Sequence, residues 1–186
     1  MTLVLLLAVA ASAAACKAQD SQVKPSGEPE SKPASSPLEE NADAVVTLEG
    51  WGTVRIGASE TDVQAVLGDA DSQEEFPAMD GEPAVVFYSF LDEGVQVSFV
   101  KPEMTANALF FHSGEGDHSD YSQFDAGTDK GIAWDSTSED VVKVYGNPVN
   151  DYRSDDGGLK WRRLVYPEIS FRFQDERLET IALGTD

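Results

Sequence analysis

One stretch of this sequence occurs twice at a fixed separation, and that echo constrains the fold more than any other feature. Ser59-Glu60-Thr61-Asp62-Val63, followed by Val66, Leu67 and Gly68, returns as Thr137-Ser138-Glu139-Asp140-Val141, followed by Val144, Tyr145 and Gly146. Thr137 lies 78 positions after Ser59, and at the same offset Val86-Phe87-Tyr88 returns as Leu164-Val165-Tyr166. A fixed period of this kind marks one structural unit used twice. The echoed residues are helix-building residues. Ser59 and Asp62 make an S-x-x-D capping pair, a relative of the S/T-x-x-E box. Val63, Val66 and Leu67 then fall at i, i+3 and i+4 on one face, and Gly68 suits the C′ position. In the second copy Thr137 caps, Val141, Val144 and Tyr145 face the core, and Gly146 stops the helix with Pro148 two residues beyond. Each helix is about two turns long, too short to stand without a sheet to dock on.

The strands predicted around these helices are consistent with that need. In a first unit, residues 45–112, Val54 and Ile56 alternate with Thr53 and Arg55 as a short lead-in strand. After an acidic loop holding Pro77, Gly81 and Pro83, Ala84–Phe90 reads as a buried strand. Asp92-Glu93-Gly94 turns the chain into Val95–Phe99, which alternates with period 2, and Ala108–Phe111 is a last strand. In a second unit, residues 127–186, Ile132 and Trp134 lead in, Leu159–Tyr166 and Ile169–Phe173 form the hairpin, and Leu178–Leu183 closes the sheet. Residues 113–126 are a polar connector. The predicted fold class is α+β: two tandem β-α-β-β-β modules, each a small antiparallel sheet packed on a short helix. About 60 residues is marginal for an isolated unit, so the two are expected to pack as one body.

Ahead of the first unit the composition changes. Residues 3–15 are an apolar run ending in small residues, shorter than the roughly 20 needed to span a bilayer. Residues 1–15 read as a secretory signal peptide. Cys16 follows at once and is the sole cysteine, so no intramolecular disulfide can form. Residues 16–44 then carry Pro25, Pro29, Pro33 and Pro37 among Ser, Glu and Lys, with too little apolar surface to offset ordering entropy; a disordered linker is expected. A lone cysteine between small residues and a polar linker resembles the lipobox of bacterial lipoproteins. That resemblance implies a diacylglycerol on the Cys16 thiol and a lipid-anchored place in the bacterial cell envelope, simple secretion being the alternative. The 34 acidic against 13 basic residues give a net charge of −21, which repels nucleic acid and anionic headgroups. Contact with a membrane is therefore expected only through the lipid.

The string Gly57-x-Ser59-x-x-Asp62-Val63-x-x-x-Leu67-Gly68, followed by a strand ending in tyrosine and an alternating hairpin, is similar to a recurrent bacterial envelope module. It resembles the repeat of outer-membrane assembly lipoproteins of the SmpA/OmlA type, and the tandem repeat of the secreted beta-lactamase inhibitor protein. Both act by protein–protein contact. The resemblance implies a non-enzymatic interaction module, an assembly factor or an inhibitor-like protein, whose partner is an envelope protein of unknown identity. It transfers no functional residue, because the matching positions are capping and packing residues.

Candidate chemistry is sparse. His112 and His118 lie within one connector rich in Gly and carboxylates, and His112, Asp117, His118 and Asp120 are the donors a transition metal could use, at a spacing that matches no established motif. They would serve the competing function, a secreted envelope hydrolase or metal-dependent enzyme. The chain has no Gly-x-Ser-x-Gly elbow, no dinucleotide or phosphate loop, and no marked carboxylate pair. No catalytic residue, metal or cofactor is therefore assigned. The remaining outlier is Lys160-Trp161-Arg162-Arg163, a basic aromatic patch in an acidic protein and the candidate partner-binding site, since Trp and Arg are enriched at hot spots. On a strand Trp161 and Arg163 point one way and Lys160 and Arg162 the other, with Arg172 expected beside the latter pair.

Overall fold

A computed structural model describes residues 45–79, 81–156 and 159–184. The expected signal peptide, Cys16 and the linker lie outside the described residues. Three two-residue strands, β1 (Val46–Thr47), β2 (Gly50–Trp51) and β3 (Val54–Arg55), form a small antiparallel sheet of their own. Helix α1 (Glu60–Leu67) follows, then β4 (Ser72–Phe76), β5 (Val85–Phe90), β6 (Val95–Val100) and β7 (Thr105–His112). The chain then passes through a 3-10 turn at Gly116–His118 to helix α2 (Ser138–Tyr145). The strands β8 (Asn150–Asp156), β9 (Leu159–Val165), β10 (Ile169–Gln174) and β11 (Arg177–Leu183) complete the described fold.

The last eight strands make one antiparallel sheet in the order β4-β5-β6-β7-β11-β10-β9-β8. The final strands of the two meanders meet at its centre, with Leu109 opposite Leu183 and Phe111 opposite Ile181. Both helices pack on one face. Val63 and Leu67 of α1 and Val141 of α2 are buried there against Val97, Phe99, Leu109, Phe111, Leu164, Phe171 and Ile181. Each such side chain contributes on the order of 1.5–3 kcal/mol relative to exposure.

The helices occur where the sequence places them, and their caps explain why. Ser59 accepts from the Asp62 amide, while Thr137 and Asp140 form a reciprocal capping box. Gly68 and Gly146 end them at φ 81°, ψ −160° and φ 83°, ψ −160°. That positive-φ, extended-ψ combination is not the left-handed helical region expected for a C′ glycine; it is a region that glycine alone occupies readily.

Other expectations are corrected. The lead-in residues Val54 and Arg55 pair within the small sheet, and Ile132 and Trp134 lie in no strand. The acidic loop after α1 contains the edge strand β4, and α2 is likewise followed by β8. The large sheet is therefore built from two α-β-β-β-β successions. Val144, expected to face the core, is 41% exposed, whereas Val141 is buried as expected and Val142 and Tyr145 pack half-buried beside it. The connector is polar in composition but not in packing: Tyr121 and Phe124 are buried, and Phe124 meets Trp51 edge-on and lies tilted against Phe111.

Candidate functional site

Strand alternation separates the basic patch into two environments. Cross-strand pairing puts Arg162 opposite Phe173 on the helix-bearing face, and Arg163 opposite Arg172 on the other. Arg172 thus stands beside Arg163 and not beside Lys160 and Arg162. The patch is also less free than its charge suggests. Arg162 donates from Nε and Nη2 to the two carboxylate oxygens of Asp151 at 3.0 Å each, and from Nη1 to Ser138 Oγ at 2.5 Å. Arg153 forks onto the same carboxylate at 3.2 and 2.8 Å. Hydrogen bonds from Arg153 and then Arg162 hold the Asp151 carboxyl well below the usual carboxylate range. Trp161 is 37% exposed, so it is not a core residue. It borders a groove of about 630 Å³ together with Lys160, Thr137, Glu139, Phe173 and Glu176.

The connector histidines come together, but not as ligands. His112, on β7, is 1% exposed, and its ring stacks on His118 at a centroid distance of 4.1 Å and on Tyr121 at 4.3 Å. Asp117 turns away to Arg172 Nη2 at 2.6 Å, and Asp120 stands by Tyr121. Among the described residues no group of three or more His, Cys, Asp or Glu side chains could hold a metal ion. His112 Nδ1 lies 3.4 Å from Thr180 Oγ1, while its buried Nε2 has no hydrogen-bond partner. Burial, reinforced by the charges of His118 and Arg172, pushes the His112 imidazole down to about 3, so it is neutral at pH 7.

Glu179 explains how the connector is held. A register shift in β10–β11 leaves Glu179 as the extra residue between Leu178 and Thr180, and a bulge of this kind re-aims its side chain. The carboxylate is 2% exposed, accepts the Asp117 amide at 2.7 Å and lies 3.1 Å from Arg172 Nε. The last contact is an ion pair rather than an aligned hydrogen bond, since Glu179 Oε2 has no hydrogen-bond donor. No pattern in the sequence distinguishes this glutamate from the exposed ones around it.

The feature missed at the sequence level is the helix-free face of the large sheet. Cross-strand pairing places Phe76, Phe87 and Phe110 on it toward β4, and Trp161, Arg163 and Tyr152 toward β8. Phe76 meets Phe87 edge-on at 5.4 Å, and Phe87 meets Phe110 at 5.9 Å. Phe76 is 44% exposed and Tyr152 51%. Small residues occupy the middle: Ser98 beside Ala108, and Ala182 beside Ser170. Arg163 donates to Ser170 Oγ at 3.2 Å and pairs with no carboxylate among the described residues.

No protein-family model matches this chain, and no curated protein matches it. Two solved structures are similar to it. A DUF4309 family protein, YjgB, from Bacillus subtilis shares 12% identity at a TM-score of 0.40, over 80% of this chain and 92% of that one. A putative beta-lactamase inhibitor protein from Streptococcus mutans shares 12% identity at a TM-score of 0.27, over 78% of this chain and 93% of that one. At these levels neither likeness bears on what this chain binds.

Proposed function

We propose that this chain is a non-enzymatic protein-binding module of the bacterial envelope, held by a lipid on Cys16 and built from two copies of one helix-plus-four-strand unit. The phenyl row Phe76–Phe87–Phe110, on a sheet face that carries no helix, with Phe76 exposed and Phe87 and Phe110 half-buried, supports the binding role. An apolar surface of this kind costs solvation free energy unless a partner covers it. The fitting partner presents an apolar projection to the phenyl rings and a carboxylate to Arg163. It serves in assembly or is itself inhibited. The lipid reading is supported by Cys16 behind its apolar run; no helix among the described residues is long and apolar enough to cross a membrane.

Affinity capture from envelope extract tests the docking face. A partner retained by the wild-type chain should be lost with Phe87→Asp and with Arg163→Glu, and kept with Val144→Asp on the helix side. Retention by both face variants would overturn the assignment. Incorporation of a labelled fatty acid that disappears in Cys16→Ser tests the anchor. Stoichiometric metal in the purified chain, lost on changing His112 and His118 to Ala, would instead favour the metal-dependent enzyme.

A further inference from the structure

We propose that the connector from Ser113 to Phe124 is an acid-released clasp whose latch is the imidazole of His112. Its geometry is that of a strap tied down at several points around one buried ring. Tyr121 OH donates to Ser89 Oγ at 2.7 Å on the helix-free face, and the chain then passes the β5–β6 turn, where Ser122 N donates to Leu91 O at 2.7 Å. Phe124 N returns to His112 O at 2.9 Å. Gly114 and Gly116, both at positive φ, shape the near end of the strap. Beneath it the His112 ring is enclosed by His118, Tyr121 and Thr180, and its Nε2 has no acceptor to stabilise a proton.

The ionisable groups around this ring come from three elements. Arg172 on β10 opposes a second cation. Glu179 on β11 and Asp117 on the connector are both engaged by Arg172, and His118 and Asp120 lie on the connector itself. Glu179 and Asp117 are thus committed to Arg172 rather than to an imidazolium. Protonation of His112 is disfavoured while the clasp is closed and ordinary once it opens to water.

The sign follows from linkage. The closed form keeps His112 neutral down to about pH 3, whereas the exposed ring takes up a proton below its ordinary value of 6.5. Stability of the closed clasp is therefore fully present above 6.5 and is lost as the pH falls from there toward 3. Opening also withdraws Asp117 from Arg172 and leaves that cation with Glu179 as its one remaining carboxylate partner among the described residues. Any use of that cation in docking rests on the reading proposed above, whereas the opening itself does not.

Native-state hydrogen exchange on the full chain tests it. At pH 7 the amides of residues 117–124 should be less protected than those of Val97 and Leu109, reporting opening short of global unfolding. Their protection, corrected for intrinsic exchange, should fall about 25-fold between pH 7 and pH 5, the effect of one proton taken up on opening. His112→Phe should flatten this dependence and His118→Phe should keep it. Protection equal to that of the core strands, or an undiminished pH dependence in His112→Phe, would overturn the clasp. Without any variant, a His112 ring resonance titrating near 6.5 in the folded wild-type chain would do the same.

Discussion

The two helices occupy equivalent places in their halves of the molecule, yet the halves close around them differently. At α1 the residues before the helix bind the start of β7: Ala106 N donates to Ala58 O at 2.8 Å, and Glu60 N to Met104 O at 3.1 Å. Tyr88 OH adds a bond to the Glu60 carboxylate at 2.6 Å. At α2 the corresponding turn residue is Glu176, which rims the open groove beside Trp161, and Arg162 binds Ser138 in place of a tyrosine. The helix-free face divides the same way, phenyl rings on one side and Arg163, Trp161 and Tyr152 on the other. The bulge residues Asn107 and Glu179 stand at equivalent points of β7 and β11, but only Glu179 fastens the connector. Caps, terminal glycines and core valines are shared, while the residues that meet solvent or a partner differ. A backbone framework tolerates such divergence because its stability rests on a few buried and capped positions.

The shared positions can be broken in order of expected effect. Phe111→Ala and Phe171→Ala should each cost about 3–5 kcal/mol in denaturant unfolding, because both rings are fully buried on the helix-bearing face. Both losses should appear in one cooperative transition, as strands of the two halves share a sheet; two separated transitions would show independent halves. Val63→Ala and Val141→Ala should follow at about 1–3 kcal/mol each, and a large inequality would mean that the two helices are not equivalent.

Replacing Gly68 or Gly146 with Val should cost about 1–3 kcal/mol by chemical denaturation. An added Cβ meets nothing within 4 Å at either site, so any cost is backbone strain alone. No loss at either would mean that the chain adopts another φ there. The smallest contrast is at the caps. Ser59→Ala and Thr137→Ala should each cost about 1 kcal/mol, Thr137 the more because it forms the full box with Asp140. Asp140→Ala, which also removes the bond from the Thr137 backbone N–H, should cost more than Asp62→Ala, and equal losses there would show that the reciprocal bond adds nothing.

The helices were legible because capping and termination are local: Ser59, Thr137, Gly68 and Gly146 act on residues within one turn of themselves. Strands β5, β6, β10 and β11 were legible from their apolar runs. Strands β4 and β8 were not, because an edge strand need not bury a face; every residue of Ser72–Phe76 is exposed, and its polar pattern reads as loop. The phenyl row was hidden for a related reason. Val85-Val86-Phe87-Tyr88 is apolar on both faces, and period alone cannot tell which side the helices will cover. The patch at 160–163 was visible as composition, but the pairing of Arg162 with Asp151 came from an adjacent strand.

By itself, then, the sequence determined two capped helices 78 positions apart and most of the strands, because hydrogen bonding and hydrophobic period act over short separations. Only the tertiary structure decided that the two meanders join through β7 and β11, that Glu179 and His112 are buried beneath the connector, and that a phenyl row shares the helix-free sheet face with Trp161, Arg163 and Tyr152. Those outcomes depend on strand register and on which face the helices occupy, and both are settled by contacts between residues far apart in the chain.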